Sequence, residues 1–269
     1  MVQAGTAAPR PQRVVVLVEP AGPLNVGSVA RLCANFQIDA LRLINPRCDH
    51  LGQEARLMAV HAAAMLEGAT VFSSLAGALA DCRRVVATSG RHDGEPLPLL
   101  PPSEALAWLV EPSETNNSPV AVVFGREDRG LSNDEMLQAG RLLSLGTGPA
   151  YGSLNLSHAA AVVLHELHQL PREQAPAEPA IGNHAHQSVG PLGLAEPSQR
   201  QDLEGMLSDA ESLLMEVGFL YPHTSHARMA KVRNLLQRAQ ISSEEVALVR
   251  GMVRQLRWAT QSRNPNQTP

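Results

Sequence analysis

Short apolar runs alternate with amphipathic segments along the first 170 residues of the chain. Five runs rich in valine and leucine, at 13–18, 40–44, 84–88, 120–124 and 141–145, are predicted to be β-strands. Helical spacing of the apolar positions predicts helices over 26–36, 53–66, 74–80, 103–110, 133–139 and 154–170. Continuous apolar strands separated by helices are typical of a parallel sheet covered by helices on both faces. We therefore expect an α/β domain over residues 13–170.

The pattern changes after residue 170. Residues 171–200 are rich in Pro, Gly, Gln and Glu and show no periodicity, which favours a flexible linker. Helical spacing returns from Leu203 onward, Gly218 marks a helix end, and Ser242 with Glu245 forms a possible capping box. Three amphipathic helices are predicted over 201–262 as a small α-helical domain, and residues 1–12 are predicted to be a disordered tail.

Composition narrows the class of protein. The 269 residues are 44% hydrophobic and 18% charged, which is typical of a globular protein with ample material for a core. No apolar run approaches the roughly 20 residues that span a bilayer, and the first twelve residues lack the apolar stretch of a signal peptide. Cys33, Cys48 and Cys82 match neither a disulfide framework nor a zinc spacing. These features predict a cytoplasmic protein with free thiols and no membrane partner.

The charge is slightly acidic overall, at −4, but it is unevenly distributed. Twenty-one of the 22 basic residues are arginine, a preference that suits phosphate recognition but that a GC-rich genome also produces. Residues 226–263 carry eight basic side chains against two acidic ones. The basic residues that we predict to bind RNA there are Arg228, Lys231, Arg233, Arg250, Arg254 and Arg257. A solvated helix face remains the alternative interpretation of this cluster.

Three polar stretches lie where predicted strands end, the edge at which parallel sheets bind ligands. The first, E-P-A-G-P-L-N-V-G-S-V-A-R, contains Asn25 and Arg31. The second, V-F-G-R-E-D-R-G-L-S-N-D-E-M, contains Gly125 and Glu127. The third, Y-G-S-L-N-L-S-H, places Ser153 and Asn155 at a helix start. Taken singly, each stretch also has an ordinary structural interpretation. Arg31 could form a surface ion pair, the second stretch could be a charged solvated loop, and the third could be a helix cap.

Several common sites are excluded by the residue types and their spacing. The second stretch has neither the G-K-[ST] of a phosphate-binding loop nor the G-x-G-x-x-G of a dinucleotide fold. The H-E-L-H sequence at 165–168 spaces its histidines too closely for a zinc protease. Ser153 lacks the G-x-S-x-G setting of a hydrolase nucleophile. We therefore predict no metal site.

The order of the three stretches resembles the SpoU branch of the SPOUT methyltransferases. The features that carry the resemblance are N-x-G-x-x-x-R after the first strand, T-S-G-R at 88–91, F-G-x-E-x-x-G-L in the middle and S-L-N-L-S late in the chain. The tail, with D-L-E-G-M-L, V-G-F-L and M-A-K-V-R-N-L-L-Q-R-A, is similar to that of the tRNA 2′-O-methyltransferases within this branch. The resemblance implies a deep trefoil knot at the end of the α/β domain and a homodimer.

The resemblance also implies a cofactor, a substrate and roles for individual residues. The cofactor would be S-adenosyl-L-methionine, held by Thr88, Ser89, Gly90, Gly125, Leu145, Gly152, Ser153 and Leu154. The catalytic group would comprise Arg31, Ser153, Asn25, Asn155 and Glu127, with Arg31 also contacting RNA. The substrate would be a cytidine or uridine ribose at position 32 of the tRNA anticodon loop, and no DNA is expected to bind.

Two questions stay open at the level of sequence. Arg31 could act as a base or as a cation that stabilises the developing alkoxide, and we favour the cation because a guanidinium is a poor proton acceptor. The alternative functions are methylation of ribosomal RNA and a non-catalytic RNA-binding module on the same fold.

Overall fold

Seven parallel strands form one sheet in the computed structural model, which describes residues 10–90, 95–113, 117–148, 152–170 and 197–262. The strands are β1 Arg13–Val18, β2 Ala40–Ile44, β3 Thr70–Phe72, β4 Arg84–Thr88, β5 Leu99–Leu100, β6 Val120–Phe124 and β7 Arg141–Leu143. Their order across the sheet is β3-β2-β1-β6-β4-β7-β5. The α/β class and the five predicted strands are confirmed. The pattern missed β3 and β5, which have only three and two residues.

Helices occupy both faces of the sheet, as predicted. In the α/β part they are α1 Pro23–Asn35, α2 Gln53–Ala59, α3 Ala63–Glu67, α4 Leu75–Leu79, α5 Pro102–Val110, α6 Asn133–Met136 and α7 Leu156–Gln169. The predicted helix over 53–66 is interrupted because Val60 adopts a positive φ of 51°, and a 3-10 turn follows before α3. Within the described ranges, no helix is long and apolar enough to cross a membrane.

Alternate residues of β1 divide the core into two layers. Val15 and Leu17 face a layer formed with α1, α2, α3, α5 and α7. Val14, Val16 and Val18 face the opposite layer, which contains side chains of α4 and α6. This alternation follows from the twofold repeat of a strand, which sends successive side chains to opposite faces. Because both layers are apolar, the strand reads as a continuous apolar run.

The sheet order brings the ends of separate strands together. β1 pairs with β2 on one side and with β6 on the other, and β6 pairs in turn with β4. All pairs are parallel, so the carboxyl ends of β1, β6, β4 and β7 lie at one edge of the sheet. The three polar stretches of the sequence follow strands that end there. The trefoil knot implied by the resemblance stays a prediction.

Three further helices form the predicted C-terminal extension, at α8 Arg200–Glu216, α9 Pro222–Arg238 and α10 Ser243–Ser262. They share a small core that includes Leu203, Met206, Leu220 and Val246. The predicted boundaries of the domains stay a prediction, because most of the 1–12 and 171–200 segments lie outside the described residues.

The extension contacts the α/β domain directly. Gln201 donates its backbone N–H to the carbonyl of Ala80 at 3.3 Å, and Gln237 Nε2 donates to the carbonyl of Leu137 at 2.7 Å. Arg200, at the start of α8, is buried, and its burial lowers the pKa of the guanidinium to about 10. The two parts of the chain are therefore docked as well as linked.

Removal of residues 200–269 is expected to lower the melting temperature, because α8 covers Leu79 and Ala80 of the α/β domain. It should leave affinity for the expected cofactor largely unchanged, since every residue of the large cavity described below lies between Thr88 and Ala159. Thermal unfolding and calorimetric titration of the truncated protein measure the two effects. A truncated protein that stays folded but no longer binds the cofactor would contradict this division of labour.

Candidate cofactor and ribose site

A cavity of about 340 Å³ opens at the carboxyl ends of β4, β6 and β7. This volume lies in the range of small-molecule sites. The cavity is lined by Thr88, Ser89, Gly90, Phe124, Gly125, Arg126, Glu127, Asp128, Arg129, Gly130, Leu131, Leu143, Leu145, Thr147, Gly152, Ser153, Leu154, Leu156 and Ala159. All eight residues predicted to hold the cofactor are in this set. The separate strand ends and the late polar stretch therefore meet in one place, although their roles in binding stay a prediction.

Glu127 connects the loop after β6 to the start of α1. Its carboxylate accepts hydrogen bonds from the backbone N–H of Ala21 at 3.1 Å and of Gly22 at 3.0 Å, and from Asn25 Nδ2 at 3.1 Å. Gly22 is the N-cap of α1 and has no side chain to cap it. The negative charge of Glu127 thus takes the place of a cap and is favoured by the positive end of the helix dipole.

The same contacts set the charge of Glu127. Partial burial acts to raise the pKa of this carboxyl, but the hydrogen bonds from Asn25, Ala21 and Gly22 outweigh it and hold the pKa below its usual value. Glu127 is consequently ionised at neutral pH and places a negative charge on the wall of the cavity. Such a charge favours a cationic ligand group.

Arg126, the neighbour of Glu127, makes a second connection to the loop after β1. Its guanidinium forms a two-point contact with Glu135, with both N–O distances 2.8 Å, and a further contact of 2.5 Å with Glu19. The Arg126 side chain is only 9% exposed. Glu135 also completes a capping box with Ser132 at the start of α6. We call these three residues, Arg126, Glu19 and Glu135, the arginine clamp.

The arginine clamp holds a strained backbone. Glu19 has a positive φ of 43°, a backbone conformation that residues other than glycine rarely adopt. The hydrogen bond to Arg126 is the largest of the effects that lower the pKa of Glu19, so the carboxylate is charged and the contact is maintained at neutral pH. The loop after β1 is therefore fixed at both Glu19 and Gly22 by adjacent residues of the loop after β6.

Gly125 is required by the fold of the loop that lines the cavity. A Cβ atom at this position would lie 2.4 Å from the carbonyl carbon of Gly130 and 2.5 Å from the nitrogen of Leu131. The backbone turns back on itself there, with paired hydrogen bonds between Arg126 and Gly130. The glycine thus allows two stretches of loop to approach each other at the edge of the cavity.

The late polar stretch divides its side chains between two tasks. Asn155 is the N-cap of α7, and its Oδ1 accepts hydrogen bonds from the Ser157 backbone N–H at 2.8 Å and hydroxyl at 2.7 Å. Ser153 is exposed at the cavity wall. Thr147 donates its hydroxyl to the carbonyl of Gly152 at 2.8 Å, which closes the loop between β7 and α7. Asn155 thus does the work of a cap, whereas Ser153 remains available to a ligand.

The lining fits S-adenosylmethionine. Phe124, Leu143, Leu145 and Leu156 supply apolar surface that suits a flat adenine ring. Ser89 and Thr88 add hydroxyl groups at the end of β4, and the carboxylate of Glu127 suits the positive charge of a sulfonium.

The catalytic residues predicted from sequence are only partly brought together. Asn25 and Glu127 are in contact, and Ser153 lies on the cavity that Glu127 also lines. Arg31 is exposed on α1 and is not among the residues that line the cavity of its own chain. The sequence did not indicate that Thr147 or the arginine clamp belongs to the site. For the clamp, the only indication was that Arg126 and Glu135 lie within the second polar stretch.

The basic residues of the extension fall into two groups. Arg233, Arg250 and Arg257 pair with acidic side chains of α8, at 2.8 Å to Glu204, 3.5 Å to Asp209 and 3.8 Å to Glu216. These three arginines therefore join α9 and α10 to α8. Arg228, Lys231 and Arg254 are exposed, and the part of the chain that the structure describes shows no acidic partner for them.

Family comparisons agree with this geometry. The sequence profile of the SpoU rRNA methylase family matches residues 12–165, more than half of the chain. The chain therefore belongs to the SpoU methylase family, as its motifs predicted. A second profile, the C-terminal domain of the tRNA methyltransferase TrmJ, matches residues 201–267.

Individual relatives of this chain are TrmJ proteins. A tRNA (cytidine/uridine-2′-O-)-methyltransferase TrmJ from Cronobacter sakazakii is 35% identical over 240 residues, which are 89% of this chain and 93% of the relative. The TrmJ of Klebsiella pneumoniae matches equally well, at 35% over 240 residues. The crystal structure of TrmJ from Z. mobilis ZM4 is similar with a TM-score of 0.75 at 28% identity, covering 91% of this chain and 99% of that one. The similarity thus includes the helical extension.

Replacement of Arg126 by methionine is expected to destabilise the protein by about 3–5 kcal/mol, the range for breaking a buried ion pair. Glu135 would lose its arginine partner, and Glu19 would keep only the exposed Arg129 at 3.5 Å. Arg129→Met in the same loop is the matched control, because that guanidinium is 59% exposed and should contribute little. Denaturant unfolding at neutral pH measures both variants. Equal stability of the two variants would contradict the arginine clamp.

The same pair of variants is expected to differ in acid. The pKa of Glu19 is lowered mainly by Arg126; burial raises that of Glu135, but Arg126 and Ser132 lower it overall. A lowered pKa contributes stability above the ordinary value of about 4.3, and this is lost as pH falls through the folded value. Arg126→Met should therefore show a flatter fall in stability below about pH 4.3 than Arg129→Met. Parallel curves would show that the clamp does not set these pKa values.

Proposed function

We propose that the protein transfers a methyl group from S-adenosylmethionine to the ribose 2′ oxygen of a pyrimidine nucleotide in tRNA. The observation that carries this proposal is that Thr88, Ser89 and Gly90, the F-G-x-E-x-x-G-L segment and the start of S-L-N-L-S line one cavity. The tRNA substrate is supported by the TrmJ relatives, which match the extension as well as the α/β domain. We assign the reaction to cytidine or uridine at position 32 and the enzyme to the cytoplasm.

Each part of the site has a distinct task in this reaction. When bound, S-adenosylmethionine would supply a methyl group on a positively charged sulfur and leave as the neutral thioether, and the proton of the ribose hydroxyl would pass to an RNA phosphate. Glu127, which lines the cavity, fixes Asn25 and the start of α1 beside it. Ser153, exposed at the wall, orients the ribose hydroxyl by a hydrogen bond.

Arg31 stabilises the negative charge that develops on the ribose oxygen. Its exposed position on α1 lies outside the cavity of its own chain, so a second subunit has to bring the side chain to the site. We therefore propose a homodimer in which Arg31 of each subunit serves the cavity of the other. Exposed apolar side chains on and around α1, α2 and α7 support such an interface: Leu24, Leu51, Leu57, Met58, Val60 and Val162.

Methyl transfer to defined RNAs tests the proposed function. Labelled S-adenosylmethionine is supplied with tRNA or ribosomal RNA, and the product nucleosides are identified by mass spectrometry. The proposal predicts ribose-methylated cytidine or uridine in tRNA and unmodified ribosomal RNA. Label in ribosomal RNA alone would assign the other substrate class, and cofactor binding without transfer to either RNA would indicate a non-catalytic module.

Mixing two inactive variants is expected to restore activity if the site is shared. Arg31→Ala should lower turnover about 10²–10⁴-fold, the range for a lost proton-transfer or oxyanion group, and Ser153→Ala should damage the cavity of its own chain. Re-annealed mixtures should regain about a quarter of wild-type turnover, because half of the dimers are mixed and each has one intact site. No recovery despite mixed dimers, verified by native mass spectrometry, would place Arg31 and Ser153 in the same subunit's site.

Arg31→Lys separates the two chemical roles of Arg31. Lysine keeps the positive charge and loses its proton more easily, but it lacks the planar fork of a guanidinium. If Arg31 acts as an oriented cation, the lysine variant should remain slow from neutral to alkaline pH in single-turnover assays. A strong recovery of its rate toward the pKa of lysine would show that Arg31 acts as a base.

A further inference from the structure

Among the residues that the structure describes, the exposed aromatic side chains lie in the helical extension. Phe219, Tyr221 and Trp258 are 60%, 54% and 64% exposed. The other aromatic residues that the structure describes are buried or half-buried: Phe36, Phe72, Phe124 and Trp108. Only 3% of the chain is aromatic. Three large rings in solvent on one small domain therefore need a reason beyond composition.

The turn between α8 and α9 holds two of these rings outward. Gly218 ends α8 with a φ of 76°, and Phe219 donates its backbone N–H to the carbonyl of Leu214 at 2.9 Å. Leu220, between the two rings in sequence, is only 2% exposed. Because Leu220 anchors the turn in the small core, Phe219 and Tyr221 are held in solvent by a fixed backbone.

The two rings lie beside further planar groups. The Arg228 guanidinium carbon lies 5.7 Å from the centre of the Phe219 ring, and its Nη1 donates to the Phe219 carbonyl at 2.8 Å. The rings of Tyr221 and His223 are stacked, with centres 6.0 Å apart and planes 20° apart. An aromatic ring with an arginine held beside it is an arrangement on which nucleic-acid bases also stack.

Trp258 lies at the same end of the helical bundle. Near the end of α10, Gln261 Nε2 contacts Glu216 Oε1 at 3.5 Å and Arg257 Nε lies 3.8 Å from Glu216 Oε2, so this end is fixed against the end of α8. Trp258 lies one turn before Gln261, and exposed Arg254 lies one turn earlier on the same side of the helix. We call Phe219, Tyr221, His223 and Trp258 the aromatic patch.

The segment that carries the aromatic patch, from the end of α8 to the end of α10, is predominantly basic. Between residues 217 and 262 the acidic residues are Glu244 and Glu245, in the first turn of α10. They lie about 20 Å along the helix axis from Trp258, at 1.5 Å per residue. Glu216 is adjacent to the patch but is in contact with Arg257 and Gln261. The cations Arg228, Lys231 and Arg254 are exposed on the same two helices.

The position of α9 connects this surface to the cavity. His226 Nε2 lies 3.3 Å from Asp134 Oδ1 of α6, the helix that follows the cavity loop of residues 125–131. The first turns of α9, which follow Tyr221 directly, are therefore next to the α/β domain. An RNA segment bound in the cavity could extend along this side of the molecule to the aromatic patch.

We propose that the aromatic patch binds unpaired bases of the RNA substrate by stacking, with Arg228, Lys231 and Arg254 contacting phosphates. The inference rests on the proposed function for the identity of the RNA as tRNA. It specifies that the extension recognises a single-stranded loop by its ring faces, rather than a duplex by charge alone. Stacking of this kind tolerates different bases, because every base has an aromatic face.

Binding of two RNAs tests the aromatic patch. The probes are an anticodon stem-loop RNA and a fully paired duplex of the same stem sequence, titrated into the full-length protein. Trp258→Ala should weaken stem-loop binding about 5- to 150-fold, the range for one lost stacking contact, and leave duplex binding unchanged. Leu248→Ala is the matched control, because Leu248 is 65% exposed on the same helix but lies about 15 Å from Trp258 along its axis.

Two further variants separate stacking from other causes. Trp258→Leu keeps an apolar side chain without the aromatic face, so it should bind the stem-loop as poorly as Trp258→Ala. Arg254→Gln should lower the slope of log affinity against log salt by about 1, whereas the Trp258 variants should leave that slope unchanged. Wild-type affinity of Trp258→Leu for the stem-loop would overturn the stacking proposal. A changed oligomeric state of the Trp258 variants in light scattering, with unchanged RNA affinity, would assign the patch to protein contacts instead.

A negative result for RNA binding by the aromatic patch can be distinguished from a negative result for methyl transfer. Stem-loop binding is measured without turnover, so a Trp258-dependent affinity stands even if tRNA is not methylated. Conversely, a Trp258→Ala enzyme that methylates tRNA with unchanged kcat/KM would overturn the aromatic patch as part of substrate binding while leaving the reaction itself established.

Discussion

Two adjacent side chains, Arg126 and Glu127, hold the loops of this site in place. Arg126 fixes the strained backbone at Glu19, and Glu127 fixes the start of α1 at Gly22. Both reach from the end of β6 to the end of β1, which are neighbours in the sheet. Glu127 is the charged group that Asn25 contacts, and it keeps this side chain beside the cavity. The fold brings the strand ends together, and these residues then fix the loops.

The electrostatic consequences follow from the same contacts. Hydrogen bonds keep Glu127 ionised despite its partial burial, so the wall of the cavity is negative where a sulfonium would approach. The positive charge of the Arg126 guanidinium is neutralised by the carboxylates of Glu19 and Glu135.

The sheet and its two-sided cover could be predicted from sequence because the strands are buried on both faces and appear as continuous apolar runs. β3 and β5 escaped because two or three residues give no period to detect. Spacing suggested that Asn155 is more than a cap; its Oδ1 caps α7, and its role toward the ribose stays a prediction. The contact between Arg126 and Glu19 was missed because the two residues are 107 positions apart, and only the folded chain brings them together.

The extension illustrates the same limit for charge. Six basic residues formed one predicted RNA-binding group, but three of them bind acidic residues of α8 and so hold the bundle together. A helix face deduced from spacing does not reveal which neighbour it meets. The exposure of Phe219, Tyr221 and Trp258 was likewise absent from the sequence pattern, since isolated aromatic residues most often belong to a core.

Glu127 lines the candidate cofactor site with a negative charge that is held by hydrogen bonds from the start of α1, and calorimetric titration of S-adenosylmethionine measures what that charge contributes to binding. Glu127→Gln fills the same volume but removes the charge that three donors share. We expect one site per subunit in the wild-type protein and affinity lowered at least about tenfold in the variant, given about 1.5–3 kcal/mol for a hydrogen bond to a charged group. Equal affinity in the two proteins, or no binding by the wild type, would exclude this role of Glu127.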